Sequence, residues 1–194
     1  MKLVLCEGPD DEAVIRGLCK DRGLTGLTVE AYLGRANLAD ALVELPKRPE
    51  FARQEVVSLG ITLDANADGN AAWQLLCNAV RDSFGVSLTE RGVFVGAKPR
   101  TGGFIVSGPD GKGMLEDLCL ASVSAKLGYP CLEAYFKCLT ERTSRKQYHS
   151  KAKFRAWMAS QSDYELYVGK AAVEGYLPFD HAAFNPLAQF LASM

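Results

Sequence analysis

The sequence lacks most of the short patterns that identify a catalytic site directly. Only two histidines, His149 and His181, occur in 194 residues, which excludes a histidine-rich zinc centre, and His149 is expected at the surface. The six cysteines stand singly without a CxxC pair, which argues against thiolate zinc sites and disulfides. A G-x-S-x-G nucleophile elbow and a P-loop are also missing. Any catalytic site must therefore use other side chains.

The sequence also lacks an excess of one charge and a long apolar run. Its 22 Lys and Arg residues nearly balance 23 Asp and Glu residues, so nucleic-acid binding would depend on a local patch. No apolar stretch approaches the roughly 20 residues that span a bilayer, and the first residues do not read as a signal peptide. We therefore expect a cytoplasmic protein with buried free thiols and no membrane partner.

Strand-like and helix-like segments alternate along the first two thirds of the chain. Strands are predicted at 2–6, 27–33, 55–64, 91–96 and 102–108, helices at 10–23, 36–46, 69–85 and 111–128, and a polar loop at 47–54. This order predicts an α/β, Rossmann-like domain over residues 1–128, with a mostly parallel sheet and helices on both faces. A helical C-terminal extension, residues 129–194, is expected to pack on it, with small helices around Trp157, Leu166, Tyr176 and Phe190.

The first of three acidic clusters follows the first predicted strand. Glu7 ends an apolar run, and Asp10 and Asp11 come directly after it. Aspartates suit the first turn of a helix, where the helix dipole stabilises negative charge. The alternative is a cation site, because ligands of parallel sheets gather beyond the carboxyl ends of the strands.

The second cluster, Asp64, Asn66 and Asp68, follows the third strand. Because the three residues alternate, an extended backbone would turn them toward one side. The segment begins like an EF-hand loop, but Leu75 stands where that loop needs a glutamate, and a strand precedes it instead of a helix. A helix-capping turn and an oxygen-ligand site for Mg²⁺ or Mn²⁺ are the remaining interpretations.

The third cluster, Glu116 and Asp117, follows a glycine-rich loop at the start of a predicted helix. Stabilisation by the helix dipole would again explain it. Three acidic clusters at one edge of a sheet would repel one another unless a cation lies among them. The clusters together therefore favour a divalent cation, Mg²⁺ or Mn²⁺.

Two of these segments resemble the Toprim domain of topoisomerases, DnaG-type primases, RecR-type proteins and the OLD (overcoming lysogenization defect) nucleases. They are a strand closing on "EGPDD" and a strand ending in "LDANADG" some sixty residues later. The later "GMLEDL" and "KAKFRAWMA" resemble a Toprim-related family of unassigned function that shares features with the OLD group. The Toprim-like part would cover about residues 1–125, and the wider resemblance nearly the whole chain.

The resemblance implies roles for the first two acidic clusters. Glu7 matches a glutamate that acts as a metal ligand or general acid/base, and Asp11 matches the following acid of nuclease-type members. Asp64 matches the first aspartate of the metal-binding Asp-x-Asp pair. Asn66 stands where the second is expected, so either Asp68 substitutes, one metal binds instead of two, or catalysis is lost.

The resemblance also assigns residues of the second half of the chain. Glu116 and Asp117 match a later acidic motif that would complete a second metal site. Lys151 or Lys153 matches the basic residue of the nuclease group, which would stabilise charge on a phosphate.

A basic stretch interleaved with aromatic residues surrounds these lysines. Arg145, Lys146, Lys151 and Lys153 suit contact with nucleic-acid phosphates, although a solvated helix face with Phe154 and Trp157 in the core would look the same. The sequence thus predicts a Mg²⁺-dependent, nuclease-like phosphodiester hydrolase. The alternatives are an inactive Toprim-like module that binds nucleic acid or a partner ATPase, and an enzyme acting on a nucleotide.

Overall fold

The computed structural model describes residues 1–108, 110–143, 149–161 and 167–194. Within these ranges the strands and α-helices follow in this order: β1 (Lys2–Cys6), α1 (Pro9–Asp21), β2 (Leu27–Ala31), α2 (Leu38–Glu44), α3 (Pro49–Ala52), β3 (Ser58–Asp64), α4 (Gly69–Phe84), β4 (Phe94–Val95), β5 (Arg100–Val106), α5 (Leu115–Val123), α6 (Tyr129–Arg142), α7 (Ser150–Ala159), α8 (Val168–Val173) and α9 (Asn185–Ala192).

The strands form one sheet in the order β2-β1-β3-β5-β4. The first four strands of that order are parallel, and β4 runs antiparallel to β5 at one edge. From β1 the chain moves outward to β2 and then returns to β3 on the other side of β1. The strand order therefore reverses between β1 and β3, and such a switch point is where open α/β sheets bind ligands.

Helices cover both faces of the sheet, as the side chains of β1 show, because they alternate between two hydrophobic cores. Val4 and Cys6 point into a core formed with α1 and α5, whereas Leu3 and Leu5 point into a second core formed with α2 and α4. Buried on both faces, this strand is apolar from Leu3 to Cys6, as expected for a central parallel strand. The predicted α/β fold with a mostly parallel sheet is confirmed.

The C-terminal helices share the core on the α1 side of the sheet. Phe154 and Trp157 of α7 and Phe190 of α9 are buried in the same cluster as Val4. The rings of Phe190 and Phe94 stack with centroids 5.0 Å apart. Residues after 128 thus pack on the sheet layer, while the division into two domains at that residue stays a prediction.

Three details of the predicted elements are wrong. The segment 47–54 contains the short helix α3 instead of a loop, because a proline is tolerated at the first helical position. The helix predicted over 111–128 spans only α5, and Gly128 precedes α6 instead of closing α5. The strand predicted at 91–96 contributes only the two residues of β4.

Two broader sequence predictions can be compared with the described residues. All six cysteines lie within the described ranges and each is a free thiol, but Cys131 and Cys138 on α6 are exposed, so the prediction of buried thiols is wrong for these two. No helix of these ranges is both long and apolar enough to cross a bilayer. The predicted residues Arg145, Lys146 and Leu166 lie outside the described residues.

Candidate functional site

Two acidic residues lie at the point where the strand order reverses. Glu7 directly follows β1, and Asp64 is the last residue of the neighbouring strand β3. The register pairs Leu5 with Ile61, so Glu7 lies level with the residue before Asp64. The position that the topology favours for a ligand therefore carries carboxylates from both central strands.

The start of α1 brings a third carboxylate to this point. Gly8 is the extended N-cap residue and Pro9 opens the helix, so the chain turns sharply out of β1. Asp11 Oδ2 accepts the backbone N–H of Gly8 at 3.1 Å, which is the predicted capping role. Burial, and then the charge of Glu7, raises the pKa of Asp11 to about 7. Asp11 is thus both a cap and a neighbour of Glu7.

Asp64 has the least favourable surroundings of these carboxylates. Its Oδ1 accepts the backbone N–H of Leu115, the first residue of α5, at 3.1 Å. Burial, followed by the charges of Asp11, Glu7 and Glu116, nevertheless raises its pKa to about 8. Near neutral pH, the ionised form of Asp64 therefore costs free energy in the metal-free protein.

Glu116 extends the group from the side of α5. Its side chain is only 9% exposed, and Lys151 Nζ of α7 lies 3.6 Å from its Oε1. Burial raises the pKa of Glu116, and the positive charge of Lys151 opposes that rise. Glu116 is buried and the other three acids are half-buried, and we refer to Glu7, Asp11, Asp64 and Glu116 together as the buried acidic cluster.

One oxygen of the cluster has no partner among the described residues. Glu7 Oε2 is buried and accepts no hydrogen bond from any of them. A buried carboxylate oxygen without a hydrogen bond is costly unless a cation lies next to it. At the same time, no three His, Cys, Asp or Glu side chains of the described ranges are grouped as they would be around a bound metal ion.

Asp68 lies outside the cluster. It is the N-cap of α4, and its Oδ1 accepts the backbone N–H groups of Asn70 at 2.8 Å and Ala71 at 3.1 Å. These hydrogen bonds lower its pKa, and its side chain is exposed. The helix-capping interpretation describes this residue.

Asn66 also lies outside the cluster. The prediction that the side chains of Asp64, Asn66 and Asp68 point toward one side of an extended backbone is therefore wrong. Asn66 has a left-handed backbone with φ of 52°, and its main chain exchanges hydrogen bonds with Gly113 at 2.6 and 2.7 Å. The extended conformation that the alternation required is therefore interrupted. The exposed side chain of Asn66 lines a separate cavity of about 700 Å³ together with Asp117.

Asp117 closes the glycine-rich loop instead of joining the cluster. Its Oδ2 accepts the backbone N–H of Met114 at 2.9 Å, and its Oδ1 accepts the hydroxyl of Ser150 at the start of α7. Gly113 has φ of 97°, and a Cβ there would collide with the Asp117 carboxylate. Glycine is thus required at this position for the cap to form.

The two predicted catalytic lysines have different surroundings. Lys151 lies beside Glu116, whereas Lys153 Nζ lies 3.3 Å from Glu133 of α6. Phe154 and Trp157 are buried, which confirms the interpretation of these aromatics as core residues. The start of α7 thus brings a cation to the acidic cluster through Lys151.

Sequence reasoning missed one residue and one contact at the cluster. Arg35, half-buried after β2, donates from Nη1 to the main-chain carbonyl of Asp64 at 3.2 Å. Asp10 Oδ1 accepts the backbone N–H of Gly169 at 3.0 Å, which ties α1 to α8. Arg35 could have been found, because "GR" follows a predicted strand at the same edge of the sheet. The contact of Asp10 with α8 had no local signal.

Comparison with known proteins identifies a family but no activity. The model of the family described as "Protein of unknown function (DUF3226)" matches residues 1–194, so the chain belongs to this family. No curated protein and no solved structure matches the chain. The resemblance to Toprim domains and OLD nucleases therefore stays a prediction.

Proposed function

We propose that this DUF3226 protein binds Mg²⁺ or Mn²⁺ at the buried acidic cluster and cleaves phosphodiester bonds of nucleic acid. The observation that carries the proposal is the unpartnered Glu7 Oε2, buried at the strand switch point beside Asp11 and Asp64. Repulsion among these carboxylates costs folding free energy. Carboxylates whose pKa values are shifted in this way are found preferentially at functional sites.

The donor set fits a hard divalent cation in type and charge. Carboxylate oxygens are the ligands that Mg²⁺ and Mn²⁺ prefer, and Glu7, Asp11, Asp64 and Glu116 supply several of them. Their side chains do not yet converge on one point in the described residues. Binding therefore requires side-chain rotation, which Glu7 can make without breaking a hydrogen bond at its Oε2.

Within this proposal the residues of the chain have distinct roles. A divalent cation, when bound, polarises a phosphoryl oxygen and lowers the pKa of a water molecule. Glu7 would accept the proton of the attacking water. Lys151, whose side chain is 56% exposed, can leave Glu116 and contact a phosphate. Lys153 is tied to Glu133 and contributes less.

The partner and the location follow from the same reasoning. With net charge near zero, contact with nucleic acid depends on the basic stretch, in which Arg145, Lys146, Lys151 and Lys153 were predicted to bind phosphates. Six free thiols are typical of a reducing compartment, so we place the protein in the cytoplasm.

A second candidate function is a non-catalytic module that keeps the fold to bind nucleic acid or a partner ATPase. The observation that favours it is Asn66, which carries no charge and lines a cavity that no member of the cluster lines. Asp68 does not replace it, because this residue is occupied as a helix cap. Under this alternative the cluster would be a relic without metal affinity.

Cleavage of labelled single-stranded and duplex oligonucleotides in Mg²⁺ and Mn²⁺ tests the proposal. We expect wild-type activity to fall by at least about 100-fold in Glu7→Gln, because a positioned general base contributes that much. Glu12→Gln is the matched control, since Glu12 is a glutamate only five residues after Glu7 that lies outside the buried acidic cluster and pairs with Arg16 at 2.8 Å. Absence of cleavage in both metals would contradict the enzyme and leave the binding module.

A further inference from the structure

A small cavity next to the buried acidic cluster combines cations with an exposed aromatic ring. Its volume is about 110 Å³, and its lining includes Glu116, Lys151, Arg155 and Tyr167. Lys151 and Arg155 are four residues apart on α7 and thus share one helix face. The cavity therefore connects the carboxylate of Glu116 with two cationic side chains and a tyrosine.

Arg155 and Tyr167, which both line this cavity, form a cation–π contact. The guanidinium carbon of Arg155 lies 5.9 Å from the centroid of the Tyr167 ring. Tyr167 is nevertheless 60% exposed, which leaves ring surface open for another flat group. Arg155 forms no ion pair with a carboxylate of the described ranges, whereas Lys151 and Lys153 each pair with a glutamate.

We propose that Arg155 and Tyr167 are a stacking platform for an unpaired nucleobase, so that the substrate is single-stranded nucleic acid. This inference rests on the proposed function, because the cluster would act on the phosphodiester next to the stacked base. Aromatic rings and arginine side chains stack on the flat faces of nucleobases. In a duplex these base faces are covered by the neighbouring bases, whereas in a single strand they are accessible.

The charge of the protein supports a single strand over a duplex. Duplex binding without base contacts depends on many phosphate contacts and a basic surface. This chain has 22 Lys and Arg residues against 23 Asp and Glu residues, so it has no excess of positive charge. Of the three cationic residues on α7, Lys151 and Lys153 already pair with glutamates. Stacking supplies affinity that does not depend on net charge.

Fluorescence anisotropy with labelled oligonucleotides tests the platform directly. Single-stranded and duplex DNA and RNA of equal length are titrated with wild type, Tyr167→Ala and Arg155→Ala, in EDTA and in Ca²⁺. We expect Tyr167→Ala to weaken single-strand binding by about 5- to 150-fold, the range expected for loss of one base–aromatic stack. Tyr167→Phe, which keeps the ring, is expected to stay within about twofold of wild type.

Tyr135→Ala is the matched control, because Tyr135 is similarly exposed, at 55%, but lies on α6 outside this cavity. Equal binding by the Tyr167→Ala and Tyr135→Ala variants would overturn the inference. Equal affinity of wild type for duplex and single strands, or no single-strand binding in either buffer, would also overturn it. Metal binding by the Tyr167→Ala variant is measured separately, so failure of the platform and failure of the metal site are distinguishable.

Discussion

Asp64 and Asp68 are four residues apart, yet their carboxylates have opposite surroundings. Asp68 is exposed and accepts two backbone N–H groups at the start of α4, which lower its pKa. Asp64 is half-buried at the end of β3, where the charges of Asp11, Glu7 and Glu116 add to the effect of desolvation and raise its pKa to about 8. The same residue type is thus stable as an anion at one position and costly at the other.

This difference separates acids that stabilise the fold from acids that need another partner. A carboxylate satisfied by a helix N-terminus needs no cation. Buried carboxylates that repel one another need either protons or a cation. Mg²⁺ or Mn²⁺ would replace the protons at neutral pH, which is the central claim for the buried acidic cluster.

The largest expected effect is on the pH dependence of stability. The pKa values of Asp11 and Asp64 are raised in the folded state. The contribution of these two residues to the free energy of unfolding is therefore fully present below their ordinary pKa. It is lost as the pH rises through about 7 for Asp11 and about 8 for Asp64. The loss should be on the order of a few kcal/mol, or roughly 5–10 °C in unfolding temperature. Asp64→Asn, which cannot ionise, should remove most of it.

Thermal unfolding of the metal-free protein from pH 4 to pH 9 measures this effect. Wild type and Asp64→Asn should unfold at similar temperatures near pH 4 and diverge progressively up to about pH 8, the variant becoming the more stable. Asp68→Asn, which keeps a capping oxygen, should follow wild type throughout. Parallel curves for wild type and Asp64→Asn would show that Asp64 is not under repulsion.

A smaller effect is expected from removing the cap at Asp68. Asp68→Ala leaves the N–H groups of Asn70 and Ala71 without their acceptor, which should lower the unfolding temperature by about 2–4 °C. Affinity for Mg²⁺ should not change, because the cap is outside the buried acidic cluster. A loss of metal affinity in this variant would instead make Asp68 a ligand, as the resemblance allowed.

The smallest effect is expected from restoring an Asp-x-Asp pair with Asn66→Asp. Aspartate tolerates the left-handed backbone at this position, so the unfolding temperature should change by less than about 2 °C. The side chain lines a cavity that Asp64 does not line, so Mg²⁺ affinity measured by calorimetry should stay the same. A clear gain in affinity would mean that the segment rearranges around a bound metal.

Much of the fold was predictable from the sequence because its signals are local. Apolar strands followed by helical periodicity gave the parallel sheet, and Glu7 and Asp64 could be placed at strand ends from the same pattern. The separation of Asp68 from Asp64 was not predictable. It depends on the left-handed backbone of Asn66, which pairs with Gly113 nearly fifty residues later.

The remainder of the site depends on packing between distant elements. The charge of Glu116 affects the pKa of Asp64 only because α5 begins beside the end of β3, where the backbone N–H of Leu115 donates to Asp64. Lys151 reaches Glu116 only because α7 packs on α5. No local periodicity encodes these contacts, so composition and spacing alone could not assign Lys151 over Lys153.

Calorimetric titration of Mn²⁺ into wild type, Asp64→Asn and Asp68→Asn at pH 8 tests the central claim most directly. We expect wild type and Asp68→Asn to bind Mn²⁺, and Asp64→Asn to bind it at least about 10–100-fold more weakly. Loss of a residue that only supports a metal ligand lowers affinity by that factor, and loss of a ligand itself should lower it at least as much. No binding by wild type at millimolar Mn²⁺, or equal binding by both variants, would contradict it.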